Sequence, residues 1–242
     1  MTTKTFSIIY HIRSEQGADV EHELHIDEAT NISQRPDLAR IPDCAMLENH
    51  QCDHCPLNSE QHRYCPVMHR LSPLIENIHA QLNSFDHVEL EVVTPGRRIF
   101  VETTAQRALG SLFGLIIASS PCIHYAFFRP LVPYHLPVAS IEETNFRTLS
   151  LYLINQYFLQ EEGVVDGISF DDLDEIYANI SSANAHLSRR VGEVLEKDGM
   201  LNALVLLDMF SQGFLMSLRL SKQQLKQRFN ANYPIIREGL CE

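Results

Sequence analysis

The sequence predicts an α+β protein, in which a small antiparallel sheet of two hairpins with a Cys/His metal loop is followed by a helical bundle half. Four segments carry apolar residues at every second position, which is the side-chain period of a half-buried strand. After residue 104 the apolar spacing becomes helical, so the strands and most of the helices are separated along the chain. The predicted strands are 5–12, 20–27, 87–94 and 98–104.

Turn residues separate the two strands of each predicted hairpin. The first turn lies in the polar stretch 14–19, which includes Gly17. The second turn centres on Pro95 and Gly96. Proline presets φ at one turn position, and we expect the glycine to take a positive φ at the next. Because both connections are short, each hairpin pairs its own strands, and together they predict a four-stranded antiparallel sheet.

Helical spacing of apolar residues appears once between the hairpins and repeatedly after them. The stretch 67–82 is the helix between the hairpins. Four prolines between residues 121 and 138 predict a bent connector, because proline disrupts a helix interior. Ser140 and Glu143 have the spacing of a capping box, which starts a helix. The helices predicted after the sheet are 105–119, 141–160, 169–197 and 201–210.

Composition limits the class of protein. The 242 residues divide into a sheet half, 1–104, and a helical half, 105–242, which we expect to dock tightly as one unit. A net charge of −12 disfavours binding to nucleic acid or to anionic membranes. No apolar run reaches the roughly 18 residues of a membrane span. The start of the chain has no signal-peptide pattern, so we expect a cytoplasmic protein whose six cysteines are reduced or bind metal.

Cysteines and histidines between the two hairpins predict a metal site. Their pattern is C-x2-C-x6-H-x2-C, formed by Cys52, Cys55, His62 and Cys65. Two residues between paired ligands allow a tight turn to direct both at one ion, about 2.3 Å from each sulfur. Thiolate and imidazole ligands favour Zn²⁺ over hard cations, and closed four-coordination favours a structural role. Segment 31–66 has few core-forming residues, so an ion would supply energy that orders it.

The sequence leaves open the fourth ligand and the metal. His62 has the most favourable spacing, whereas His50 lies two residues before Cys52. Cys44 would instead complete a set of four thiolates. A Cys-Pro step such as Cys65-Pro66 also occurs in iron–sulfur proteins, so an iron–sulfur cluster is the alternative to Zn²⁺.

A second group of polar residues lies in and behind the proline-rich connector. Imidazole, thiol and carboxylate groups on an irregular segment are typical of binding and catalytic sites, although structural hydrogen bonding is their commoner role. An aspartate within an apolar helix joins the group, because a buried carboxylate needs a partner. The candidates for a ligand-binding or active site are Cys122, His124, Arg129, His135, Glu143 and Asp208.

Several motifs together resemble an uncharacterised bacterial family known only as a domain of unknown function. The signature is H-x-C-x2-C-P-L from His50, followed by Cys65-Pro66. The resemblance covers most of the chain and implies a bacterial cytoplasmic protein, but it assigns no catalytic residue. The further motifs that carry it are Thr103-Thr104-x-Gln106-Arg107, Cys122-x-His124, Phe128-Arg129-Pro130, His135-Leu136-Pro137 and 202–208.

Three functions are compatible with these patterns. The first is a zinc-binding protein with a binding or regulatory role, a structural metal site and an unknown protein or small-molecule partner. The second is a metal- or ligand-dependent enzyme that uses His124, His135 and Glu143. The third is an iron–sulfur redox or sensor protein. None of them involves nucleic acid or a membrane, and each is compatible with a homo-oligomer.

Overall fold

A computed structural model describes residues 4–78 and 82–193, together with positions 202, 223, 226 and 227. Residues 43–65 form an irregular segment, which we call the Cys loop. Residues Ile123–Tyr134 form a segment in 3-10 conformation, which we call the connector. The regular elements are β1 (Thr5–Ser14), β2 (Asp19–Asp27), α1 (Pro66–Ile78), β3 (His87–Thr94), β4 (Arg97–Thr104), α2 (Ala105–Ala118), α3 (Ile141–Glu161) and α4 (Asp171–Gly192).

The sheet confirms the predicted α+β class. Its strand order is β2-β1-β3-β4 and every neighbouring pair is antiparallel, so each predicted hairpin pairs its own strands and β1 joins β3. The second turn differs from the expectation in one respect. Gly17 has a φ of +95°, but Gly96 lies outside the positive-φ region. Pro95 excludes the turn types that need a positive φ at the first central position, and the turn closes without one at Gly96.

One face of the sheet is buried under helices. In β1 the alternate residues Ile8, Tyr10 and Ile12 are fully buried, as period-two patterning requires. α2 begins directly after β4 and contacts β1, β3 and β4. The core cluster that contains these residues also includes Leu71 of α1 and Leu187 of α4, so it draws on both halves of the chain.

The helical half follows the predicted pattern as far as it is described. The capping box is present at the start of α3, where Ser140 and Glu143 exchange hydrogen bonds with each other's backbone amides. In the described part of the chain, no single helix has the length and apolarity of a membrane span. Only α2 taken with the connector meets those criteria, and the two are bent by 110°. The apolar helix predicted at 201–210, which includes Asp208, lies outside the described residues.

Candidate metal centre

The three clustered cysteines lie on two fixed parts of the Cys loop. The backbone amide of Cys55 donates to the carbonyl of Cys52 at 3.0 Å, which forms the tight turn expected of a metal knuckle. Cys65 is buried at the start of α1, and its amide donates to the carbonyl of Ala45 at 2.8 Å. A β-bridge between Met46 and Tyr64 holds the two ends of the loop together. The loop therefore returns to its own beginning and brings Cys65 towards the knuckle.

A fourth cysteine comes to this group from the helical half. Burial, and to a smaller extent the charges of Cys65 and Cys55, raise the pKa of the Cys52 thiol to about 11. Burial, and to a smaller extent the charges of Cys65, Cys52 and Cys55, raise the pKa of the Cys122 thiol to about 12. Like-charge repulsion of this kind acts only between groups that are close together. Cys122 therefore belongs with the three cysteines of the loop.

Arg129 fixes the backbone on which Cys122 lies. Its Nη2 donates to the carbonyl of Cys122 at 2.8 Å, and its Nε donates to the carbonyl of Ser120 at 3.1 Å. The hydroxyl of Ser120 in turn accepts from the amide of Cys122 at 3.4 Å. A guanidinium that bridges two carbonyls orders a segment that has no regular backbone ladder. The role of Arg129 here is to position the cysteine.

The three residues that the sequence offers as the fourth ligand have different surroundings. Nε2 of His50 lies 2.7 Å from the carboxylate of Glu193 at the end of α4. His62 is exposed on the turn that starts at Asn58. Cys44 is buried, which raises the pKa of its thiol to about 11, but its charged neighbours are Arg190, Glu193 and Asp43 rather than the other cysteines.

Two histidines flank the knuckle with unsatisfied nitrogens. His124 hydrogen-bonds the backbone of His54, and burial lowers the pKa of its imidazole. On the other side, Nε2 of His186 in α4 lies 3.5 Å from the exposed carboxylate of Asp53. Nε2 of His124 and Nδ1 of His186 are buried and have no partner among the described residues. The knuckle is therefore held between the connector and α4.

The other sequence candidates do not converge on one site. Nε2 of His135 contacts the hydroxyl of Tyr10 in β1. Glu143 is occupied by the capping box, and the hydrogen bonds from Ser140 lower the pKa of its carboxyl. His124, His135 and Glu143 thus have three different sets of partners. Asp208 lies outside the described residues.

Within the described ranges, no group of three or more His, Cys, Asp or Glu side chains is arranged to hold a metal ion as it stands. The electrostatic effects on Cys52 and Cys122 indicate that the four cysteines lie near one another, but they do not have the arrangement that a bound ion requires. The sequence predicted Cys52, Cys55 and Cys65 as one group and placed Cys122 in another. In the sequence, Cys122 is marked by its position after Pro121 in the proline-rich stretch. The hydrogen bond from Arg129 that fixes its backbone is seen in the structure.

Comparison with known proteins gives a family but no activity. The family model described as "Domain of unknown function (DUF6901)" matches residues 8–230, which is most of the chain. A search of curated proteins and a search of solved structures each found no match. The match agrees with the resemblance noted from the sequence motifs. The chain belongs to the DUF6901 family.

Proposed function

We propose that this protein binds one Zn²⁺ through the thiolates of Cys52, Cys55, Cys65 and Cys122, and that the site is structural. The observation that supports this most directly concerns Cys122. The negative charges of the three loop cysteines contribute to the raised pKa of its thiol, which indicates that the four groups lie near one another. Four thiolates are a common ligand set of structural zinc. The set replaces the His62, His50 and Cys44 alternatives for the fourth ligand.

The proposed site would connect two segments that have little else in common. The Cys loop precedes α1, whereas Cys122 lies after α2 and is the N-cap residue of the connector. A structural Zn²⁺ supplies on the order of 10 kcal/mol of apparent binding free energy at neutral pH, and that energy is available to hold the segments together.

The protonation of the thiols predicts how uptake of Zn²⁺ by the proposed site depends on pH. Without a cation, burial and mutual repulsion keep Cys52 and Cys122 protonated at neutral pH, since both pKa values lie at about 11 to 12. A bound Zn²⁺ reverses this balance because it stabilises thiolates directly. Zinc uptake should therefore release protons, and the apparent affinity should weaken as the pH falls.

An iron–sulfur cluster is the second candidate. It is favoured by the same position of Cys122 near the loop cysteines. A ligand set made only of thiolates, without a histidine, suits clusters as well as Zn²⁺. Such a cluster would imply a redox or sensing role. The enzyme alternative that uses His124, His135 and Glu143 gains no support, since the contacts of these residues do not converge.

A binding or regulatory role in the cytoplasm, with a protein or small-molecule partner, accompanies the zinc proposal. Its support is the acidic composition, with a net charge of −12, which disfavours polyanionic partners. A closed site with four protein ligands has no open position for a substrate, which favours a structural over a catalytic metal. The cysteines are unpaired among the described residues, in keeping with a reducing compartment.

Elemental analysis of the freshly purified, untagged full chain tests the proposal. We would compare the wild type with Cys122→Ala, and use Cys44→Ala as the matched control, because Cys44 is buried outside the group. We expect about one zinc per chain in the wild type and the control, and loss of most of the metal in Cys122→Ala.

Each other outcome has a definite meaning. Full zinc content in Cys122→Ala, with loss in Cys52→Ala, would reject Cys122 as a ligand and return the choice to His62 or His50. Iron with visible absorbance near about 400 nm would replace zinc by the cluster. A wild type without metal would refute both candidates.

A further inference from the structure

The last turns of α4 hold the Cys loop through residues on one helix face. His186, Arg190 and Glu193 are spaced i, i+4 and i+7, which places them on the same side of a helix. His186 faces Asp53, and Glu193 accepts hydrogen bonds from Asn49 and His50. None of these three helical residues was predicted from the sequence.

Arg190 is the centre of this contact and is only 1% exposed. Its guanidinium donates hydrogen bonds to four backbone carbonyl groups of the Cys loop. The acceptors are the carbonyls of Cys44 (3.2 Å), Met46 (2.6 Å), Leu47 (2.9 Å) and His50 (3.2 Å).

The charge of Arg190 has hydrogen bonds but no counter-ion in the described part of the chain. None of the ion pairs found there within 4.0 Å includes its guanidinium. Glu193, on the same face, is exposed and directs its carboxylate to Asn49 and His50, and the charge of Arg190 is the smallest of the effects that lower its pKa. Burial of a charge without an opposite charge is costly, so natural proteins generally pair it.

We infer that Arg190 is the countercharge of the four-cysteine centre, which makes it a positioning residue for the metal. This inference rests on the proposed function. Four thiolates around one Zn²⁺ leave a net charge of about −2, which a buried cation stabilises. Nε of Arg190 binds the carbonyl of His50, two residues before Cys52. Burial is the largest effect on the pKa of the Cys52 thiol and raises it, whereas the charge of Arg190 lowers it. The same charge lowers the pKa of Cys44, whose carbonyl Arg190 also binds.

A purely structural role would have a different signature. If Arg190 acted only through its hydrogen bonds, any substitution would destabilise the Cys loop. The effect would then be the same for a charged and for a neutral side chain at position 190. A countercharge instead acts on the thiolate centre, so the affinity for Zn²⁺ should depend on the charge at position 190. Comparison of Arg190→Gln with Arg190→Lys separates the two, since both lose the forked guanidinium and only the first loses the charge.

The test is a titration of the full chain with Zn²⁺ in competition with a chromophoric chelator. The matched control is Arg189→Gln, because Arg189 is the exposed neighbour on the same helix. We expect Arg190→Gln to bind Zn²⁺ at least about tenfold more weakly, Arg190→Lys within about threefold of the wild type, and the control unchanged. If Arg190→Gln does not fold, Arg190→Met keeps the aliphatic stem and serves as the neutral variant.

Two results would overturn the inference alone. Equal Zn²⁺ affinity in Arg190→Gln and the wild type would show that the charge is not coupled to the metal. Equal weakening in the Gln and Lys variants would assign the effect to loop geometry. A wild type that takes up no Zn²⁺ in this titration would refute the proposed function itself, and the inference with it.

Discussion

The contact between His135 and Tyr10 should make the fold sensitive to mild acid. Nε2 of His135 contacts the hydroxyl of Tyr10, which also lies 2.9 Å from Oγ of Ser111 in α2. Burial, and to a smaller extent the charge of Arg147, lower the pKa of His135 to about 3. The folded protein therefore keeps this imidazole neutral at a pH where the unfolded chain protonates it.

The sign and size of the effect follow from linkage. Above the unfolded pKa of about 6.5, neither state carries a proton on His135 and the full stability is present. As the pH falls towards the folded value of about 3, only the unfolded state gains the proton, so the free energy of unfolding declines. Between pH 6.5 and pH 4.5 the loss is about 2 × 1.36, or about 2.7 kcal/mol, as an upper value.

Urea unfolding at pH 6.5 and pH 4.5 measures this loss. We expect the wild type to lose up to about 2.7 kcal/mol more than His135→Gln, which lacks the titrating group. His87→Gln, at an exposed histidine, should keep the wild-type pH dependence. Burial also lowers the pKa of His22 to about 4, but its contribution is common to all three proteins and cancels. The same pH dependence in His135→Gln and the wild type would refute the reasoning.

Three further predictions about the fold can be tested by thermal or urea unfolding. Gly17→Ala should cost about 1–2 kcal/mol, because φ is +95° there, whereas Gly96→Ala should cost much less, since its φ is not positive and a Cβ meets nothing within 4 Å. Equal costs would contradict the turn geometry. Ser140→Ala removes half of the capping box and should cost about 1 kcal/mol; no change would mean that α3 does not depend on its cap. Phe113→Ala should cost about 3–5 kcal/mol, because Phe113 is fully buried, and Phe100→Ala, at a side chain 70% exposed, should be nearly neutral.

The sheet could be predicted because its information is local. In each hairpin the alternation of apolar residues and a short turn lie in one stretch of sequence, and they determine both strands and their pairing. The turn at Gly96 shows the limit of the method. Glycine permits a positive φ but does not require one, and the conformation depends on how Pro95 and the flanking strands close the turn. Residue type alone therefore predicted the turn but not its backbone angles.

The candidate site shows a different limit, which lies in distance along the chain. The spacing of Cys52, Cys55 and Cys65 identified a group of candidate ligands, because a metal knuckle is a local structure. Cys122 is separated from Cys65 by the whole of α1, the second hairpin and α2, so no spacing rule connects them. α2 packs on the sheet and leads into the connector, where His124 hydrogen-bonds the backbone of His54 in the Cys loop. For the same reason Arg190 had no signal in the sequence: its acceptors are carbonyl groups, which every residue carries. The chemical type of a ligand can be inferred from sequence, but the partners that complete and charge-balance its site depend on the packing.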